Sequence, residues 1–217
     1  SLTVKHNVVN HSLMVLNDGG GISLASGASD CLVEGNIVSG SRGVGGDHPS
    51  NGCARLGYDE ETYETCFQHP SYGMGIGSDS KLERIDITDN VVYDNTDVGI
   101  RMNSFTEGRT TGNLIYGNGD CGLRIEDGLG PSTDNVVEEN TIYAFGFDGG
   151  QDHGLQIGTD DPASNWGVLQ NNVYANPHTF PTFKNNKNFY AFGQWQQDFG
   201  VDAGSRVVHY PYDYFDV

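Results

Sequence analysis

Apolar residues fall at alternate positions in short runs along this chain, and the runs repeat. The clearest case lies between Asp97 and Ile125. It reads Asp97-Val98-Gly99-Ile100-Arg101-Met102, then Asn113-Leu114-Ile115-Tyr116, then Asp120-Cys121-Gly122-Leu123-Arg124-Ile125. One short segment is stated twice, with an Asn-headed apolar segment between. A glycine followed by alternating apolar residues recurs at Gly21, Gly73, Gly99, Gly122 and Gly154. An Asn heading an apolar pair recurs at Asn7, Asn36, Asn90, Asn113, Asn140 and Asn171. Alternation with period two belongs to strands, whose side chains point to opposite faces in turn. No stretch carries apolar residues at helical spacing, so no amphipathic helix is expected. A regular recurrence of this size marks a repeat architecture. Units of two or three short strands predict an all-β parallel solenoid of about six stacked coils.

Between the Asn-headed and Gly-headed segments the chain leaves the coil at one recurrent corner. The long connections are 10–20, an insertion at 41–72, and 144–153. The insertion carries Arg42, Asp47, His48, Arg55, the acids from Asp59 to Glu64, and His69. Loops stacked on one side of a solenoid build its binding face. The coil pattern covers 1–175. From Asn176 onward it ends, and the segment 176–217 is rich in aromatic residues, including Phe180, Phe183, Phe192, Trp195 and Tyr210. It is read as the cap that a terminal solenoid unit requires. At the other end the chain opens at Ser1-Leu2-Thr3-Val4 inside a coil. A bare first coil would expose strand edges. Upstream coils, or a partner subunit in a homo-oligomer, are expected to cover it.

Composition narrows the partners. The formal charge of −18 disfavours nucleic acid, whose phosphates need basic surface, and an anionic membrane. No apolar run reaches membrane-spanning length. An acidic polysaccharide stays open if Ca²⁺ or a local arginine cluster bridges the charge. No motif requires a cofactor, and the seven histidines form no metal-ligand spacing. Of the four cysteines, Cys53 and Cys66 bracket a short polar loop, and a disulfide between them, which would imply export, is left open. Cys31 and Cys121 read as small buried core residues.

Candidate chemistry sits on the outward positions of the Gly-headed strands. Stacking the coils about 4.8 Å apart makes one column of Ser23, Gly75, Arg101, Arg124 and Gln156, and a second of Ala25, Gly77, Asn103, Glu126 and Gly158. Asp97, Asp120 and Asp152 precede their glycines by two residues and form an acidic column. A single such Asp is a good turn former. Three in one column repel, and the repulsion must be relieved by the arginines, by a metal such as Ca²⁺, or by protonation of one member. Protonation creates the unlike carboxyl pair that glycoside hydrolysis uses.

As a whole, residues 1–175 resemble the right-handed parallel β-helix superfamily of secreted, carbohydrate-active proteins. The tail Gln194-Trp195-Gln196, followed by Gly200-Val201-Asp202-Ala203-Gly204-Ser205, is similar to the ends of bacterial proteins of that kind. Three spots resemble the polygalacturonase family of hydrolases. Asn95-Thr96-Asp97 matches its Asn-Thr-Asp signature. Asp120-Cys121 sits where that family has an Asp-Asp pair, with Gly119 in place of one acid. His153-Gly154-Leu155-Gln156-Ile157-Gly158 matches its Gly-His-Gly strand, with Asp152 in place of the first glycine. The resemblance implies Asp120 as general acid, Asp97 as base for water and His153 as a supporting group. The expectation is a secreted glycoside hydrolase acting on a polysaccharide. Asp97, Asp120, Asp152 and His153 are its catalytic candidates. Arg101, Arg124, Asn103, Glu126 and Gln156 are its sugar-binding candidates. A polysaccharide lyase, in which an arginine or Ca²⁺ neutralises a uronate carboxylate, and a non-catalytic glycan-binding or structural β-helix are the alternatives.

Overall fold

A computed structural model describes residues 1–13, 19–24, 27–43, 73–78, 81–128, 130–143, 153–158, 166–175, 182–185 and 188–208, with the backbone alone at 78, 153–158, 182–185 and 188–189. Its strands come in triplets. The first coil holds β1 (Thr3–Lys5), β2 (Val8–Asn10) and β3 (Gly19–Ser23). The second holds β4 (Ser29–Glu34), β5 (Ile37–Ser39) and β6 (Gly73–Ser78), and the third β7 (Leu82–Thr88), β8 (Val91–Tyr93) and β9 (Ile100–Asn103). A two-residue strand, β10 (Phe105–Thr106), precedes the fourth coil of β11 (Arg109–Thr111), β12 (Leu114–Tyr116) and β13 (Cys121–Glu126). The fifth holds β14 (Asn135–Glu138), β15 (Thr141–Tyr143) and β16 (His153–Gly158), and the sixth β17 (Gly167–Gln170), β18 (Val173–Ala175) and β19 (Thr182–Asn185). Then come β20 (Asn188–Tyr190), the helix α1 (Phe192–Phe199) and β21 (Arg206–Val208).

Corresponding strands of successive coils pair in parallel, so the coil stack is three seven-stranded sheets. Sheet A runs through β1, β4, β7, β11, β14 and β17, with β10 paired beside it. Sheet B runs from β2 to β21, and sheet C from β3 to β20. This is the all-β parallel β-helix of six coils that the alternation predicts. Parallel pairing continues past Ala175, since β19 pairs β16 and β21 pairs β18.

The core is made of aligned columns. On sheet B, Val38, Val92, Ile115, Ile142 and Tyr174 stack in register, all fully buried. On sheet C, Ile22, Ile76, Ile100 and Leu123 stack in register and are buried. Each aliphatic side chain taken out of water contributes roughly 1.5–3 kcal/mol. Cys31 and Cys121 are buried, as read from the sequence; Cys53 and Cys66 lie outside the described residues.

Each bend between sheets A and B uses the same two residues. The first has a left-handed backbone: His6, Gly35, Asp89, Gly112, Glu139 and Asn171, with φ between 54° and 69°. The second is an Asn of the ladder. Asn36 accepts from the backbone and side-chain amides of Asn7, Asn90 from Asn36, Asn113 from Asn90, Asn140 from Asn113, and Asn172 from Asn140. The sixth rung is therefore Asn172 and not Asn171. In the Asn171-Asn172 doublet the first residue takes the left-handed position, which Asn tolerates, and the second takes the rung. A second ladder at the bend between sheets B and C passes from Ser12 to Ser41, Asn95 and Asn118.

The expectation of no helix is corrected at the C-terminal end. Helix α1 buries Trp195 completely and sets it against Phe199, with ring centroids 4.8 Å apart. Trp195, Phe199 and Phe192 make one face, but eight residues are too few for the periodicity to stand out in the sequence. The helix, Tyr174 and Ser205 enclose Asp202, which is itself fully buried. The Asp202 carboxylate accepts from Trp195 Nε1 at 3.0 Å, Tyr174 Oη at 3.0 Å, Ser205 Oγ at 2.7 Å and Asn172 Nδ2 at 3.4 Å. The first ladder thus ends on a carboxylate hub that fastens the cap.

Candidate functional site

The chain passes from sheet B to sheet C through the second ladder. Asn95 and Asn118 are buried there, and their amides bond each other and the carbonyls of Tyr93 and Val92. These bonds hold the two short connections of coils three and four in parallel. Asp97 donates its amide to the Gly73 carbonyl at 3.1 Å, and Asp120 donates to the Asp97 carbonyl at 3.1 Å. The expected acidic column therefore exists at Asp97 and Asp120, with Gly73 and Gly19 continuing it into the earlier coils. Asp152 lies outside the described residues. His153 is placed by its backbone alone, opposite Cys121 on the next coil.

The outward arginine column also forms, with a shift of two residues in coil two. Ser23 pairs with Gly77, Gly77 with Arg101, Arg101 with Arg124, Arg124 with Gln156, and Gln156 with Lys184. Gly75, expected in this column, instead aligns with Gly99 and Gly122 through backbone bonds to the third coil. The heading glycine of coil two is Gly75 and not Gly73. The reason is steric. A Cβ on Gly75 would fall on Val92, and one on Gly99 would stand 2.5 Å from Ile115 Cγ2. Only glycine lets sheet C approach the apolar column of sheet B this closely.

On this frame five charged side chains meet. Arg124 is only slightly exposed, and its Nη2 lies 3.5 Å from Asp97 Oδ1 and in direct contact with Asp120 Oδ2. Its Nε lies 3.4 Å from Glu126 Oε1. Glu126 turns its other oxygen to Arg101, 2.8 Å from both Nε and Nη2. Arg124 joins the two aspartates of the column, one of the three ways of relieving their repulsion. The two aspartates differ in surroundings: the Asp97 side chain is 7% exposed and that of Asp120 40%. Among the described residues, no three or more His, Cys, Asp and Glu side chains are arranged to hold a metal ion.

Asn103 faces the same strand end but serves the backbone. It is buried, and its Oδ1 accepts from the Gly128 amide at 2.8 Å and from Ser104 Oγ at 3.2 Å. It supports the turns that follow β9 and β13 rather than offering an open sugar contact. Gln156 keeps its expected register beside Arg124. The Asn95-Thr96-Asp97 motif divides likewise: Asn95 is a ladder rung, and Thr96 Oγ1 bonds the carbonyls of Ser41 and Arg42. Gly119, which stands in place of an acid, is dictated by packing, because a side chain there would fall on the Thr96 carbonyl.

Sequence reasoning missed two features at this corner. Arg42 forms a bidentate pair with Asp94, its Nη2 2.6 Å from Oδ2, and bonds the Asp94 carbonyl at 2.7 Å; the hydrogen bond to Asp94 holds the guanidinium above its ordinary value. Tyr93 and Tyr116 stack with centroids 4.9 Å apart and planes 2° from parallel. Burial raises the Tyr116 hydroxyl above its usual range, and the neighbouring Tyr93 adds to this. The Asn-headed Val-Val-Tyr and Leu-Ile-Tyr segments carried the signal for that stack.

Comparison with known proteins agrees with the coil geometry. The family described as "Right handed beta helix region" matches residues 47–191. No curated protein and no solved structure matches the chain. A right-handed β-helix is compatible with carbohydrate-acting enzymes and with many other functions. With more than half of its length matched and three parallel sheets built from repeating coils, the chain belongs to the right-handed β-helix family.

Proposed function

We propose that the protein is a secreted glycoside hydrolase that acts on a polysaccharide laid along the outer face of sheet C. The observation that carries this reading is the meeting of Asp97, Asp120 and Glu126 on Arg124. Two aspartates that share one guanidinium nitrogen are closer to the roughly 5 Å carboxyl spacing of retaining hydrolases than to the roughly 6.5–9.5 Å of inverting ones. Asp120 is the accessible member and takes the general acid role. Its proton goes to the glycosidic oxygen as the bond from that oxygen to the anomeric carbon breaks. Asp97, held from below by the ladder, supplies the carboxylate that bonds the anomeric carbon. Water, deprotonated by Asp120, then releases the sugar. Arg101 and Arg124 stand one coil apart along the coil axis, and Gln156 is in register with Arg124 on the next coil.

A second reading rests on the same contacts. Every acid of the cluster is tied to an arginine, which also suits a rigid glycan-binding face without catalysis. The two separate in an assay of new reducing ends and of unsaturated products against neutral and acidic polysaccharides, with Ca²⁺ and with chelator. Reducing ends without unsaturation, lost in Asp120→Asn, support hydrolysis. Unsaturated product identifies a lyase. Binding without any product identifies the glycan-binding reading.

A further inference from the structure

We infer that Glu126 is a specificity residue that selects neutral sugar units and excludes uronates from this face; the inference rests on the polysaccharide reading above. A uronate carboxylate is recognised by a guanidinium that offers it two parallel N–H donors. The face carries two such groups, Arg101 and Arg124, one coil apart in the same column. Both are engaged by Glu126. One of its oxygens lies 2.8 Å from Nε and Nη2 of Arg101, and the other 3.4 Å from Nε of Arg124. The remaining donor edge of Arg124 faces Asp120 and Asp97. Glu126 thus stands where a substrate carboxylate would sit.

The charge balance points the same way. Among the described residues three carboxylates meet two guanidinium groups, so this cluster is net negative, in a chain of formal charge −18. An anionic sugar would have to displace Glu126 and leave that carboxylate next to its own charge. A neutral sugar makes hydroxyl contacts with the acids and arginines without displacing either. Specificity of this kind comes from a repulsive element built against the wrong partner. The flexible Glu side chain is 22% exposed and the arginines less so, so Glu126 is reachable from the face.

The test is affinity gel electrophoresis of the purified chain through neutral polymers (xylan, galactan, glucomannan) and polyuronates (polygalacturonate, alginate) at one fixed ionic strength. The wild type is expected to be retarded by a neutral polymer and not by the polyuronates. Glu126→Gln keeps the shape, removes the charge and should tighten polyuronate binding about tenfold, an effect of roughly 1.4 kcal/mol. Adding Arg101→Gln to that variant should cancel the gain. Glu126→Asp, too short to span both guanidinium groups, should give a smaller gain in the same direction, and it serves if circular dichroism shows Glu126→Gln to be misfolded. A wild type that binds a polyuronate as tightly as any neutral polymer overturns the inference, as does an absence of gain in the Glu126 variants. A wild type that binds no polymer sinks the polysaccharide reading instead, while the Glu126 variants still decide what that side chain excludes.

Discussion

Arg124 and Asp202 show how differently two buried charges are managed. Asp97 has a guanidinium beside it, so its burial is offset by Arg124. Removing one member of a buried ion pair costs roughly 3–5 kcal/mol. Arg124→Gln is therefore expected to cost about 3 kcal/mol of stability in urea denaturation, seen as a lowered midpoint, since Asp120 can still reach water. A midpoint unchanged within error would mean that Arg124 carries no structural load. Among the described residues Asp202 meets four donors and no cation. Burial raises its carboxyl above the ordinary value, while Ser205, Tyr174, Trp195 and Asn172 each pull it back. A raised folded value means that the folded cap holds a proton which the unfolded chain has already released. The stabilisation is fullest below the unfolded value of about 3.9 and declines as pH rises through the folded value. Thermal melts across the acid range should show this slope in the wild type. Asp202→Asn should flatten it and also destabilise the cap by roughly 1–3 kcal/mol, because its amide nitrogen meets donors rather than acceptors.

Among the elements, the bends were the most legible part of the sequence and also the place where it misled. Asn at fixed recurrence marks a stack of amides, and five of the six expected rungs are correct. The sixth was ambiguous because Asn suits both the rung and the left-handed position before it. The structure makes the two residues separable by experiment. Asn172→Ala removes a buried amide bonded to Val137, Asn140 and Asp202, and should cost roughly 2–3 kcal/mol in chemical denaturation. Asn171→Gly, at φ 56° on the outside of the bend, should change stability by only about 0.5 kcal/mol. Equal losses at both positions would contradict the assignment of rungs. Just before β9, Gly99→Ala should be among the most damaging single-methyl additions, since its Cβ would meet Ile115 and the Gly122 carbonyl. Overpacking of this kind costs roughly 1–3 kcal/mol.

At the scale of the whole molecule, charge dominates the surface. Exposed pairs such as Lys5–Glu34, Arg84–Asp30 and Arg109–Glu138 contribute little, because water screens them. Arg84 lowers the Asp30 carboxyl by direct hydrogen bonding, but such pairs are screened by salt. Self-repulsion from a charge of −18 is screened as well, and it opposes the compact state. Repulsion involves many more charges than the few pairs, so the melting temperature should rise from low salt to roughly 0.15 M salt, where the Debye length is about 8 Å. A fall in melting temperature would mean that the ion pairs outweigh the net charge.

The alternation of apolar residues and the recurrence of Asn and Gly determined the solenoid, its parallel strands and the number of its coils, because each coil repeats the same local bends and buries the same side of its strands. They did not determine the phase of every coil. Alternation has period two, so a strand shifted by two residues reads the same, and Gly73 and Gly75 fit the head of coil two equally well. Pairing with the next coil and the close approach of Gly75 to Val92 remove that ambiguity. Nor could the sequence show that Glu126 would bridge two arginines, that Arg124 would join aspartates of successive coils, or that Asp202 would anchor the cap. Those contacts run between coils, across 25 to 30 residues of chain, and only the stacked register brings such side chains within reach of one another.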